Sequence, residues 1–335
     1  MVSAMSDVLR LPERFTKDAC FGVAESLRSV QNAPEVELDF SPLRYSYPVS
    51  MLVIGAHLRE FVAYRKARGL GTRALGIDPS NTAHSYCLHL GYFRFIGLPV
   101  GKDVGQAPGS NTYIPIQRLR MDELRSSVDL PYRRVDDVIA EETDGLARVL
   151  LGDESDIEMR KAIAYSLREV VRNVFDHAQA SECYLSGQRW YDGSVQICIV
   201  DAGRGVRGSL AETYPELDGE EAIRSAVRPG FSRIRDPKKL EVSANSGYGL
   251  YVLAELGREC GWFTLGSDKY RITATPELYD DVAPERFTGT YVGLHLRRAI
   301  TTDFRKRLSR IIYSGEAEAR MLGTNPRASK RSRSL

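Results

Sequence analysis

The apolar run Val195–Val200 ends abruptly in "DAGRGVRG", Asp201 to Gly208. The run reads as a strand. It closes on a carboxylate followed by glycines. A Tyr191-Asp192-Gly193 turn precedes it, and "ECYLSGQRW" stands before the turn, so a β-hairpin is expected here. Gly203, Gly205 and Gly208 satisfy G-x-G-x-x-G. The dinucleotide-binding turn needs that motif to open a βαβ unit and needs an acid about 20 residues further on at a strand end. Here the preceding element is a hairpin, the acid comes directly before the glycines, and the later acids lie in the helical pattern "DGEEAIRS". A Rossmann site is therefore not expected, and no G-x-x-x-x-G-K-[ST] occurs to make a P-loop.

Upstream, "LREVVRNVFDHA" (Leu167–Ala178) is an amphipathic helix whose polar residues Glu169, Asn173 and His177 recur every four residues. With Ile163, Leu167, Val170 and Val174 centred on the buried face, Glu169 and Asn173 fall about 100° to one side of it. That flank faces a pocket rather than core or open water. Downstream, "NSGYGLYVL" brings Gly247, Gly249 and Leu250 to the start of a helix, where free N–H groups and the positive dipole end suit an anion. "WFTLGS", a "DKY" turn, "RITATP" and "TGTYVGLHLR" supply further strands, with Gly289-Thr290 on the last of them.

E-x-x-x-N on a helix, D-x-G-x-G after a strand, G-x-G-L opening a helix and a late Gly-Thr occur here in one order, between Ala162 and Leu296. The order resembles the GHKL ATPases, the superfamily of DNA gyrase, MutL, histidine kinases and the anti-sigma serine kinases. The resemblance implies a Bergerat-type α+β sandwich that takes ATP and Mg²⁺. Asn173 is then the metal ligand and Glu169 the general base. Asp201 accepts from the adenine amino group, with Gly203 and Gly205 passing close to the ring. Thr290 supports the adenine site through its hydroxyl, Gly247, Gly249 and Leu250 attend the phosphates, and His177 lies near phosphates or ribose. A solvent-facing histidine would look the same in the sequence. "RPGFSR" (Arg228–Arg233) is similar to the Pro-Gly-x-Ser segment of kinase-like members. Gly208–Ser246, rich in Gly, Pro, Ser and basic residues, has the length and composition of a lid. Arg233, Lys238 and Lys239 in it suit either phosphate or solvent.

The first half alternates differently. "VELDFS", a helix from Val49 to Gly69, "TRALGID", a helix over "NTAHSYCLHLGYFRFIG" and a strand "NTYIPIQRL" make a βαβα order with a partly parallel sheet. The pattern resembles a STAS domain. The expected organisation is a STAS-like α/β domain over 1–130, a linking helical segment over 131–160, the GHKL domain over 161–315 and a basic disordered tail over 316–335.

At 335 residues with 43% hydrophobic and 27% charged side chains, two globular domains are expected. No apolar run is long enough for a membrane helix, and "MVSAMSDVLRLPERF" has no secretory h-region. Five scattered cysteines without a C-x-x-C pair point to reduced thiols in a cytoplasm. The net charge of +2 is concentrated in a tail bearing Arg320, Arg327, Lys330, Arg331 and Arg333, a poor match to a nucleic-acid binder. His57, His84, His89 and His295 lack the His-Glu/Asp-x-x-x-Pro context of a phosphoacceptor helix. The expected function is that of an ATPase in intracellular signalling, with a protein partner and a homodimer left open. An anti-sigma-like serine/threonine kinase and a non-catalytic ATP-gated binding module are the alternatives.

Overall fold

A computed structural model describes residues 6–127, 134–151, 157–176, 178–232, 246–278, 280–297, 303–329 and 332–333. The chain is a mixed α/β protein of two compact units: Met1–Pro108 with Pro115–Arg118, and Gly109–Ile114 with Leu119–Leu335.

The first unit runs β1 (Asp7–Arg10), β2 (Arg14–Phe15), α1 (Lys17–Ser29), β3 (Glu35–Asp39), β4 (Tyr45–Ser46), α2 (Pro48–Ala67), β5 (Gly71–Leu75), α3 (Thr82–Leu90) and α4 (Tyr92–Phe95). Its main sheet has the order β1-β3-β5 and is parallel throughout. Val36 and Leu38 of β3 are fully buried while Glu35 and Glu37 between them are not, so one face carries the core. Pro48 opens α2, where a missing N–H costs nothing. Gly55 in that helix admits the rings of Tyr92 and Phe95, each of which would lie 2.8 Å from a Cβ there. Arg65 near its end is wholly buried, and its guanidinium donates to the carbonyls of Gln31 (3.0 Å) and Ala33 (2.7 Å) and to Thr72 Oγ1 (2.8 Å). These three charge-assisted bonds of one side chain tie the α1–β3 connection to β5.

The second unit contains the two ends of β6 (Tyr113–Arg120), whose Pro115–Arg118 group with the first unit, and then α5 (Met121–Ser126), α6 (Val135–Leu151), α7 (Ile157–Asp176), β7 (Glu182–Arg189), β8 (Val195–Asp201), α8 (Gly205–Leu210), α9 (Gly219–Ala226), α10 (Gly249–Cys260), β9 (Gly261–Ala274), β10 (Asp281–Leu296) and α11 (Phe304–Leu322). The sheet order is β6-β7-β8-β10-β9, with β7/β8, β8/β10 and β10/β9 antiparallel. Every residue of β8 is buried, as its uncharged run requires. Asp192 closes the β7–β8 turn by accepting from the Ser194 N–H at 2.9 Å, with Gly193 at φ +79°. One apolar core joins α7, α10 and α11 to the sheet.

Several expectations need correction. "NTYIPIQRL" is not a third strand of the first sheet but β6, at the edge of the second; Gly109–Ile114 group with the second unit and Pro115–Arg118 with the first. The linking segment is not a separate piece. Val138, Ile139, Ala147 and Leu150 of α6 are buried in the core of the second unit. "WFTLGS" and "RITATP" form one strand, β9. Asp268, at φ +55°, sits where the register with β10 slips, which makes a bulge instead of a turn. The tail is not disordered over its described residues. α11 continues past residue 315 to Leu322, Ala328 and Ser332 are buried, and Arg333 pairs with Glu316. The Gly208–Ser246 segment carries α9, opened by a capping box of Asp218 and Glu221, while 233–245 lie outside the described residues.

Candidate functional site

A pocket of about 830 Å³ of empty space, its open mouth included, lies among α7, β8, β10, α8 and the start of α10. Asn173, Asp201, Gly205, Gly247, Gly249, Leu250 and Thr290 line it, alongside apolar Val170, Val174, Ile199, Leu210 and Val292. Residues that lie as much as 122 positions apart in sequence, Val170 and Val292, therefore meet at one cavity.

Asp201 ends β8 at the pocket and pairs in register with Thr290 of β10. Its Oδ1 accepts from the Gly203 N–H at 2.7 Å, and the Thr290 N–H also donates to the carboxylate. Burial raises its pKa to about 6, against the pull of these two donors. Thr290 thus supports the carboxylate through its backbone N–H. Gly289, at φ +92°, carries no Cβ that would collide with the Asp201 carbonyl, which lets β10 close onto β8 at this point.

Gly205 lines the pocket, while Gly203 is absent from its lining and packs against the Ala178 carbonyl at the end of α7. Gly247 (φ +78°) and Gly249 enter α10, whose N-cap Tyr248 makes no side-chain cap, leaving that end to the cavity. Asn173 stands on the α7 wall, half-buried. Among the described residues no three His, Cys, Asp or Glu side chains gather as a metal site. One amide facing a cavity fits a Mg²⁺ that takes most of its oxygens from phosphates and water. His177 lies outside the described residues, as do Arg233, Lys238 and Lys239.

Glu169 is near the pocket but not in its lining. It is 2% exposed, and its Oε1 accepts from Arg172 Nη1 at 3.0 Å, with Arg168 Nε at 3.6 Å. Arg172 is equally buried and reaches Asp136 of α6 at 3.4 Å. Gly249 leaves room for the other oxygen: a Cβ there would sit 2.8 Å from Glu169 Oε2. The flank of α7 that carries Glu169 is therefore occupied by its own next-turn arginine, an i,i+3 partner already visible in the sequence.

Sequence reasoning missed Ser267. Its buried hydroxyl donates to the Gly289 carbonyl at 2.7 Å and accepts from the Val206 N–H at 3.0 Å, joining the late Gly-Thr strand to the start of α8. Only its place before the Asp268 bulge could have flagged it. Phe231 and Ser232, the end of "RPGFSR", line the pocket, and Phe231 stacks on Tyr214 with centroids 4.5 Å apart.

Compared with protein-family models and with curated proteins, the chain gives no match. Among the described residues no helix is long and apolar enough to cross a membrane.

Proposed function

We propose that the second unit is a GHKL-type nucleotide-binding unit that takes Mg-ATP and uses it to control a protein partner in signalling. The observation that carries this reading is one cavity with a buried carboxylate, Asp201, on one wall and the glycine-flanked, uncapped start of α10 on another. The carboxylate suits a base amino donor, and the helix start suits phosphate. Asn173 would supply one oxygen to Mg²⁺, which when bound neutralises phosphate charge. Val170, Val174 and Ile199 give the apolar contact a purine needs.

A nucleotide-gated binding unit fits the geometry better than a hydrolase, because Glu169 is buried and held by Arg172. Hydrolysis or transfer to a serine or threonine requires Glu169 to leave that pair and act as general base. The first unit, a parallel three-stranded sheet with helices, is the part we assign as STAS-like, and it supports a signalling role. Calorimetry with Mg-ATP and Mg-GTP tests the reading: Mg-ATP should bind more tightly. Asp201→Asn should lose about 2 to 3 kcal/mol of binding, from a charge-assisted bond replaced by an opposed amide. Equal affinity of wild type and Asp201→Asn would put the base elsewhere. Incubation with γ-labelled ATP separates the three modes by whether label stays on ATP, appears as phosphate or ends on protein.

A further inference from the structure

The segment after α11 runs back to the pocket. Thr324 Oγ1 donates to the Pro229 carbonyl at 2.8 Å, and the Asn325 N–H donates to the Gly230 carbonyl at 3.2 Å. On the other side, Asn325 Nδ2 donates to the Ser246 carbonyl at 3.1 Å, and Tyr248 Oη donates to the Asn325 carbonyl at 3.0 Å. Gly230 is at φ +71°, and a Cβ on it would collide with the Asn325 carbonyl oxygen, so this approach needs a glycine. The Gly230 N–H itself donates to the Gly247 carbonyl at 3.1 Å. The segment is anchored at both ends, by Thr324 N–H to Ala319 O (2.9 Å) and by Ala328 N–H to Glu316 Oε1 (2.9 Å).

We propose that Asn325 is a positioning residue for the pocket: it staples the strand of chain bearing Phe231 and Ser232 to the turn bearing Gly247 and Gly249. The proposal rests on the nucleotide reading above. Asn325 does not line the cavity, so it acts through the turn. The N–H groups at the start of α10 meet a phosphate without a reorganisation cost only if the turn before them is already held. Two of the bonds made by Asn325 hold that turn directly, through Ser246 and Tyr248.

The test uses the full chain, with Mg-ATP and adenosine as probes in calorimetry, and thermal melts as a control. Asn325→Ala should weaken Mg-ATP about three- to tenfold, the worth of one lost hydrogen bond. Adenosine, which has no phosphate to feel the turn, should bind as it does to wild type. Tyr248→Phe removes only the donor to the Asn325 carbonyl and should give the same split, and it decides the matter if Asn325→Ala fails to fold. Unchanged Mg-ATP affinity in both variants overturns the proposal, as does an equal loss for the two probes. If wild type binds neither probe, the nucleotide reading fails by itself. Hydrogen exchange at residues 247–251 then decides the staple: faster exchange in Asn325→Ala upholds it, and unchanged exchange overturns it.

Discussion

Asp201 brings two opposed influences to one carboxylate. Burial favours its neutral form, while the N–H groups of Gly203 and Thr290 favour the ion, and the balance leaves its pKa at about 6. Because the folded value is raised above the ordinary one near 4, the unpaired carboxylate costs stability at neutral pH, and that cost is relieved as pH falls through about 6. Ligand binding runs the other way. A base amino group needs the ionised acceptor, so Mg-ATP affinity should fall about tenfold between pH 7 and pH 5, with the midpoint near 6. Titration calorimetry across that range checks it, and the Asp201→Asn protein should have lost the pH dependence. Glu169 carries the second prediction at this scale. Removing one member of a buried ion pair leaves the other charge uncompensated, so Glu169→Ala should cost roughly 3 kcal/mol of stability in denaturant unfolding. Asp136, 3.4 Å from Arg172, keeps the loss at the low end of such cases. A general base free in the pocket would instead leave stability unchanged and remove only turnover.

Elements were legible where a local pattern carried them. The 3.6-residue period of "GLYVLAELGREC" and the alternation around the Asp192-Gly193 turn led directly to α10 and to the β7–β8 hairpin. β1 has only Leu9 buried among its four residues, so no period announces it. β6 reads as a strand in the sequence but its place in the second sheet does not, since its partner β7 lies beyond three intervening helices and pairing over such distances leaves no local mark. The site followed the same rule. Asp201, Asn173 and the glycines were readable from motif and stripe, whereas Ser267 and Asn325 work through backbone groups distant in sequence. The tail looked disordered because basic and small residues dominate it, yet Ser, Asn and Thr are the side chains that bond to backbone outside helices and strands. The placement of β6 has a measurable consequence. A fragment beginning at Arg134 lacks the strand that covers the β7 edge, and it lacks Ile114 and Leu124 from the core. It should aggregate or melt well below a fragment beginning at Gly109, by size-exclusion chromatography and thermal unfolding.

At the scale of the molecule, both tryptophans of the chain, Trp190 and Trp262, belong to the second unit and flank His295 at 6.1 and 5.7 Å. Tryptophan emission therefore reports on the unit with the pocket, while far-ultraviolet dichroism reports on both. Burial lowers the pKa of His295, so its contribution to stability is present above the ordinary histidine value and declines as pH falls below it. At pH 7 that ring is neutral and leaves the fluorescence signal undisturbed by titration. Mg-ATP at about 100 times its Kd should stabilise the second unit by about 2.7 kcal/mol. The denaturant midpoint followed by fluorescence should move accordingly, and an unmoved midpoint at saturating Mg-ATP would count against binding to this unit.

The segment carrying Thr324 and Asn325 also orders the pocket in time. A chain is synthesised from its N-terminus at about 5 to 20 residues per second. The α7 wall, Asp201, the Gly247–Gly249 turn and the β10 wall with Thr290 and Val292 are all made before Asn325, which follows Val292 by about 33 residues. For roughly 2 to 7 s a nascent second unit thus has the walls of its cavity without the residue that fastens them together. On the nucleotide reading proposed above, tight binding should become available only after α11 has been made and its trailing segment has folded back.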